Sequence, residues 1–176
     1  MEKRPVGACA CAALLQLAVG GAQADDLLCA GCQVTLGIGG TYYDFDKTRG
    51  IVAPVTFDWS GNRYELGVFR FTTAQYVEAY GNYSERYANP YWGFSLSRRW
   101  RLWERPTWGV YFGAGASYKT ETDQLNSTAW NFAWQLAARG RLSHAVSLEL
   151  AIRHWSNANI RRPNRGQDFA TLALVF

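Results

Sequence analysis

The chain has 176 residues, is 48% hydrophobic and 15% aromatic, and carries a formal net charge of +4. Eight Trp, ten Tyr, nine Phe and seventeen Gly stand against one Met, and no helical stretch of convincing length interrupts them, so a helical domain is excluded. The positive charge would suit nucleic acid, but an export signature at the amino end removes that partner and turns the charge toward anionic lipid.

That signature is Glu2, Lys3 and Arg4, an apolar run from Val6 to Val19, and Ala22-Gln23-Ala24 as a small-residue cleavage site. Residues 1–24 are expected to be a cleaved signal peptide; the run is too short and too interrupted to span a bilayer as a helix. Val6-Gly7-Ala8-Cys9 has the look of a lipoprotein box but precedes most of the apolar run. Residues 25–32 then form a short periplasmic segment. Cys9 and Cys11 leave with the signal, and Cys29-Ala30-Gly31-Cys32 remains. The pair precedes the first strand and has no βαβ context, so it reads as a local disulfide, not a redox motif. Metal binding would need more ligands than lie nearby.

From Gln33 onward the sequence alternates with a period of two, eight times over. Val34, Leu36, Ile38 and Tyr42 form the first apolar row, opposed by Thr35, Gly37, Gly39 and Thr41. Ile51, Ala53, Val55, Phe57 and Trp59 form the second; Tyr64, Leu66 and Val68 form the third, which blurs after Phe69 and predicts a bulge there. The fourth is Trp92, Phe94, Leu96 and Trp100, and the fifth Trp108, Val110, Phe112, Ala114 and Tyr118. The sixth is Trp130, Phe132, Trp134, Leu136 and Leu142. Val146, Leu148, Leu150 and Ile152 open the seventh; Asp168, Ala170, Leu172, Leu174 and Phe176 make the eighth.

A soluble barrel would turn these large apolar rows inward. Here the opposing rows hold Gly, Ser, Thr, Gln, Glu and Arg, enough to fill a narrow lumen with ionic and hydrogen-bonded side chains. Trp and Tyr recur near strand ends as interfacial girdles do, and Phe176 closes the last strand as an outer-membrane assembly signal would. The expected fold is all-β: an eight-stranded antiparallel transmembrane barrel over residues 33–176, its lumen filled. Connections at Ser60–Asn62, Leu102–Pro106 and Ser143–His144 are short; those around Ala79–Asn89, Glu121–Ala129 and Ala158–Gln167 are longer. Short turns being periplasmic, both termini are expected in the periplasm.

The seventh apolar row ends in chemistry. It runs on into His154 and Ser156, about 7 Å apart along one strand face. Pairing Leu150 with Leu172 and Ile152 with Ala170 sets Asp168 beside His154. A serine becomes a nucleophile when an imidazole takes its proton and a carboxylate holds the imidazole's tautomer. The plain alternative is a pair of interfacial polar residues ending a strand, although polar groups facing lipid are costly. Asn157 and Asn164 are nearby amides able to stabilise an oxyanion. His144 falls in a solvated turn, and Glu149 and Arg153 point to the lumen. No metal-ligand cluster, cofactor fingerprint or phosphate-cradling glycine motif appears, and ester hydrolysis needs none.

Residues 152–168, IRHWSNANIRRPNRGQD, resemble the carboxy-terminal signature of the lipid A 3-O-deacylase (PagL) family. That signature reads His-aromatic-Ser-Asn-Ala, then Pro-Asn-x-Gly-x-acid, matched here by His154 to Ala158 and by Pro163, Asn164, Gly166 and Asp168. The family's acid is usually Glu; Asp168 is one methylene shorter. The resemblance implies an eight-stranded outer-membrane barrel that removes the 3-O-linked hydroxyacyl chain of lipid A. It implies Ser156 as nucleophile, His154 as base and Asp168 as its orienting acid, with Asn157 and Asn164 near the oxyanion. Arg161, Arg162 and Arg165 lie in the loop beside the site, either solvated or set against lipid A phosphates. The expectation is thus a serine esterase in the bacterial outer membrane, its site at the outer leaflet, with lipopolysaccharide as substrate. A phospholipase or acyltransferase using the same triad, or a non-enzymatic barrel of the small OmpA-like kind, are the alternatives. Oligomeric state is left open, a homodimer among the options.

Overall fold

The computed structural model describes residues 32–42, 48–72, 74–76, 86–88, 90–122, 127–162, 164 and 166–176. The expected signal peptide and all of the 25–32 segment except Cys32 lie outside the described residues, Cys29 among them; Cys32 is disulfide-bonded. Ten strands occur: β1 (Gln33–Tyr42), β2 (Thr48–Trp59), β3 (Tyr64–Phe71), β4 (Ala74–Tyr76), β5 (Arg86–Ala88), β6 (Tyr91–Arg105), β7 (Trp108–Lys119), β8 (Trp130–Arg141), β9 (Ser147–Ser156) and β10 (Gln167–Val175). All except β4 and β5 form a closed antiparallel barrel of eight strands, each paired with its neighbour in the chain and β10 closing on β1. The β4–β5 hairpin hangs on the start of β2 at Thr48 and Arg49, and β5 lies within the long 79–89 connection. No alternating row announced it.

Side-chain parity follows the sequence pattern. The large apolar rows face out: Ile38, Leu96, Leu150, Leu172, Trp130 and Phe132 are each at least half exposed. The opposing rows are buried, including Glu65, Arg99, Gln135, Glu149 and Arg153. A greasy exterior around a charged interior is a barrel solvated by lipid. Two details differ from expectation. The third strand keeps a continuous register with both neighbours from Tyr64 to Phe71, so no bulge follows Phe69. The pattern blurs there because Phe69 and Phe71 are themselves inward-facing while Arg70 takes the outer position between them, reversing the polarity of the rows. The irregularity lies instead in β6, between Arg101 and Trp103, and β6 runs on to Arg105, leaving Pro106–Thr107 as the turn where Leu102–Pro106 was expected.

The lumen divides into two parts. Toward the short turns, three arginines interlock with three carboxylates. Arg99 reaches Asp58 at 3.0 Å, Glu65 at 3.3 Å and Glu149 at 2.9 Å. Arg139 bridges Asp58 and Glu149, each at 2.6 Å, and Arg153 grips Glu65 with both terminal nitrogens at 2.6 and 3.1 Å. The charges balance, as burial in low dielectric demands. Toward the long connections, Val52, Phe69, Phe71, Tyr91, Ala133, Trp155 and Phe169 form an aromatic plug. Its rings meet edge to face, Trp155 on Phe69 and on Phe169 with centroids 5.2 Å apart in each case. The expected ionic filling is therefore right for one half and wrong for the other.

Candidate active site

The site lies on the outer wall at the plug end, where β9 and β10 finish and begin. Their register pairs Leu150 with Leu172, Ile152 with Ala170 and His154 with Asp168. Because Cβ atoms alternate along a strand, this places His154, Ser156 and Asp168 on the lipid side while Trp155 and Phe169 point inward. His154 Nδ1 lies 2.7 Å from Asp168 Oδ1. The shorter acid thus closes the contact, direct pairing across the ladder making up for the missing methylene. A carboxylate only accepts, so in the neutral imidazole this contact puts the proton on Nδ1 and leaves Nε2 with a lone pair. Such an imidazole can accept a proton from a hydroxyl.

Two further residues hold the ring. Trp134, opposite His154 on β8, stacks on it with centroids 5.5 Å apart and planes at 28°. Gly166, at φ +78°, passes so close that a Cβ there would fall 2.4 Å from His154 Cε1. Only a residue without a side chain can sit against the imidazole in that backbone conformation. Asp168 completes the slot. Sequence reasoning used Gly166 only as a motif letter and Trp134 only as a wall residue. Seeing their roles needed the β8–β9 register and the turn's path.

Ser156 occupies the same outer row as His154, opposite Phe132, half-buried. Among the described residues no hydrogen bond joins its Oγ to His154. Beyond it, Ala158 and Asn159 both have positive φ, 52° and 63°, and Ile160 N–H donates to Asn157 C=O at 3.0 Å. This is a tight turn of the I′ kind, and a left-handed alanine in it is strained. The two asparagines brace this connection. Asn157 N–H donates to Asn164 Oδ1 at 3.0 Å, and Asn157 Nδ2 donates to Arg161 C=O at 2.7 Å. Asn157 is buried, facing the lumen side of the strand end; its amide nitrogen is given to the loop, while its Oδ1 has no hydrogen-bond partner among the described residues. Ser127 Oγ also donates to Arg161 C=O, at 3.2 Å, tying in the β7–β8 connection. The side chains of Arg161 and Arg162 are exposed on this rim, whereas Pro163 and Arg165 lie outside the described residues. His144 is exposed in the β8–β9 turn at the opposite end of the barrel, and Glu149 and Arg153 belong to the luminal ion network. Among the described residues no group of three His, Cys, Asp or Glu side chains could hold a metal ion.

Comparison with known proteins gives a family and a fold. A family model described as "Lipid A 3-O-deacylase (PagL)" matches residues 50–176. The crystal structure of the outer-membrane enzyme PagL is similar with a TM-score of 0.55 at 17% identity, over 82% of this chain and 98% of that one. Neisserial surface protein A follows at 0.51 and 11% identity, over 82% and 93% of the two chains. The amino-terminal barrel domain of Pseudomonas aeruginosa OprF matches at 0.50 and 12% identity, over 82% and 96%. At such identities the structures establish the barrel and nothing finer. No curated protein sequence matches.

Proposed function

The chain belongs to the lipid A 3-O-deacylase (PagL) family, and from that premise we propose that it is a serine esterase of the outer membrane. Its substrate is lipid A, reached from within the outer leaflet. Ser156 Oγ attacks the carbonyl of the 3-O-linked hydroxyacyl chain while His154 Nε2 takes its proton. The tetrahedral intermediate collapses with loss of the lipid A 3-hydroxyl, which receives that proton. Water then attacks the acyl-serine, again through His154, releasing a 3-hydroxy fatty acid and restoring Ser156. Asp168 keeps the imidazole in the tautomer both steps need. We assign Asn157 a bracing role and leave oxyanion donation to Asn164 and the backbone at the strand end. The exposed Arg161 and Arg162, with Arg165, would face the lipid A phosphates.

The observation that carries this reading is the 2.7 Å contact of His154 with Asp168 on the lipid-facing wall. A paired imidazole and carboxylate at that position have no packing use, since the core lies behind them. A rim location also gives water access, which a mid-membrane site would lack. Both termini are then periplasmic, the short turns facing inward to the cell.

Purified barrel treated with a lipophilic fluorophosphonate should be labelled at Ser156, and labelling should vanish in His154→Ala. Incubation with lipopolysaccharide should release a 3-hydroxy acid. Release of an unsubstituted acid from phospholipid instead would reassign the substrate, and no labelling of Ser156 in a folded barrel would remove the nucleophile.

A further inference from the structure

We propose that the short-turn end of the barrel carries a binding pocket for the phosphate of an anionic phospholipid in the opposite leaflet, independent of the His154 site. A cavity of about 360 Å³ opens there, lined by Arg63 of the β2–β3 turn, by Arg98, Arg99, Trp100 and Arg101 of β6 and by Tyr111 of β7. Four arginines contribute to this lining from the two faces of the wall, Arg99 turned to the lumen over Tyr111 and Arg98 to the outside over Trp100, and their counter-charges differ. Arg99 is spent: it belongs to the balanced network of Asp58, Glu65 and Glu149. Arg101 bonds Glu104. Among the described residues, Arg63 and Arg98 have no carboxylate within ion-pair distance. The outer rim of the cavity therefore carries two cations, Arg63 and Arg98, that the protein itself does not neutralise.

Depth in the membrane identifies the anion. Trp59 stacks on Tyr64 at 5.5 Å and Trp103 meets Trp108 at 4.2 Å, forming an aromatic belt around this end. Such belts lie at the level of lipid headgroups. Arg98 sits in that belt, its guanidinium 5.4 Å from the Trp100 ring and its strand position opposite Tyr64. Phosphates of the adjoining leaflet lie at the same height.

The pocket is also built in advance of a ligand. Arg99 N–H donates to Arg63 C=O at 2.6 Å, clipping the turn to β6 and fixing the separation of Arg63 from Arg98 and Arg101. The turn is held in left-handed conformations at Ser60, Gly61 and Asn62, and a Cβ at Gly61 would meet nothing within 4 Å, leaving the mouth open. Planar guanidinium forks carried on a clipped backbone suit a phosphate bound through paired hydrogen bonds. A fixed net negative headgroup, as in phosphatidylglycerol, fits the uncompensated charge better than a zwitterion.

The test is lipid retention by the full barrel, read by native mass spectrometry after equal exposure to phosphatidylglycerol and phosphatidylcholine. The wild type should keep one phosphatidylglycerol in roughly tenfold preference over phosphatidylcholine, and Arg63→Gln/Arg98→Gln should abolish the preference. Arg105→Gln/Arg141→Gln, which alters rim charge outside the cavity, should leave it intact. Folding of each variant is checked by the heat-dependent gel mobility of the barrel. Equal retention of both lipids by the wild type, or an undiminished preference in the Arg63/Arg98 variant, would overturn the proposal. Loss of preference in the Arg105/Arg141 variant would reduce it to general rim charge. Complete displacement of the lipid by millimolar inorganic phosphate would replace the lipid with a free phosphate as the ligand.

Discussion

At one end of the lumen three arginines and three carboxylates fill the barrel; at the other, five aromatic residues, a valine and an alanine do so, and only this second end carries the candidate site. The ionic half balances its charges within itself and meets the site strand at one residue, Arg153, which precedes His154 and lies 5.2 Å from the Phe69 ring. The aromatic half is different, because its members alternate along the chain with the site residues. Trp155 lies between His154 and Ser156, and Phe169 follows Asp168. Each outer polar group therefore has an inner ring as its neighbour, wedged against Phe69 and Phe71. Even Gly93 serves this end: a Cβ there would come within 2.6 Å of the Trp155 ring. The ionic half closes the barrel, while the plug holds the strand segment on which the proposed chemistry depends.

This division gives graded outcomes. Trp155→Ala should have the largest effect, about 3–5 kcal/mol less stable to unfolding in micelles and about 100-fold slower in acid release, since His154 and Ser156 lose their anchor. Arg99→Met should cost a similar 3–5 kcal/mol by leaving three buried carboxylates with two arginines. Its activity per folded molecule should stay within about twofold, since its one link to the site strand runs through Glu65 and Arg153, which keep their own two-point pairing. Equal activity losses in these two variants would break the distinction between the halves. Gly166→Ala should reverse the Arg99 result, slowing release by about 100-fold through a displaced imidazole while costing only about 1–2 kcal/mol for a left-handed alanine. Trp134→Leu should be mildest, about three- to tenfold slower from loss of the stack on His154, with Trp134→Phe recovering most of the rate.

Much of this was legible in the sequence because a barrel wall has one rule, alternation, and a one-residue slip would put every side chain on the wrong face. That rule placed His154, Ser156 and Asp168 together, with the pairing of Ile152 and Ala170 that the structure adopts. The plug was not legible from the rule. Phe69 and Phe71 are inward apolar residues in a barrel whose outside is apolar too, so parity loses contrast just where they occur. Gly166 was visible only as a motif letter, since its contact with the imidazole depends on a turn geometry that spacing does not specify. The loop-bracing use of Asn157 was hidden for a similar reason: its parity points inward, whereas its chemistry alone suggested an oxyanion.

The central claim is that this wall removes an acyl chain from lipid A through Ser156. Its most direct test is the lipid A mass spectrum of cells expressing the chain beside cells expressing Ser156→Ala, both with the barrel inserted. Loss of one 3-hydroxyacyl group in the wild type alone is the predicted result. The same loss in both, or in neither, would contradict it.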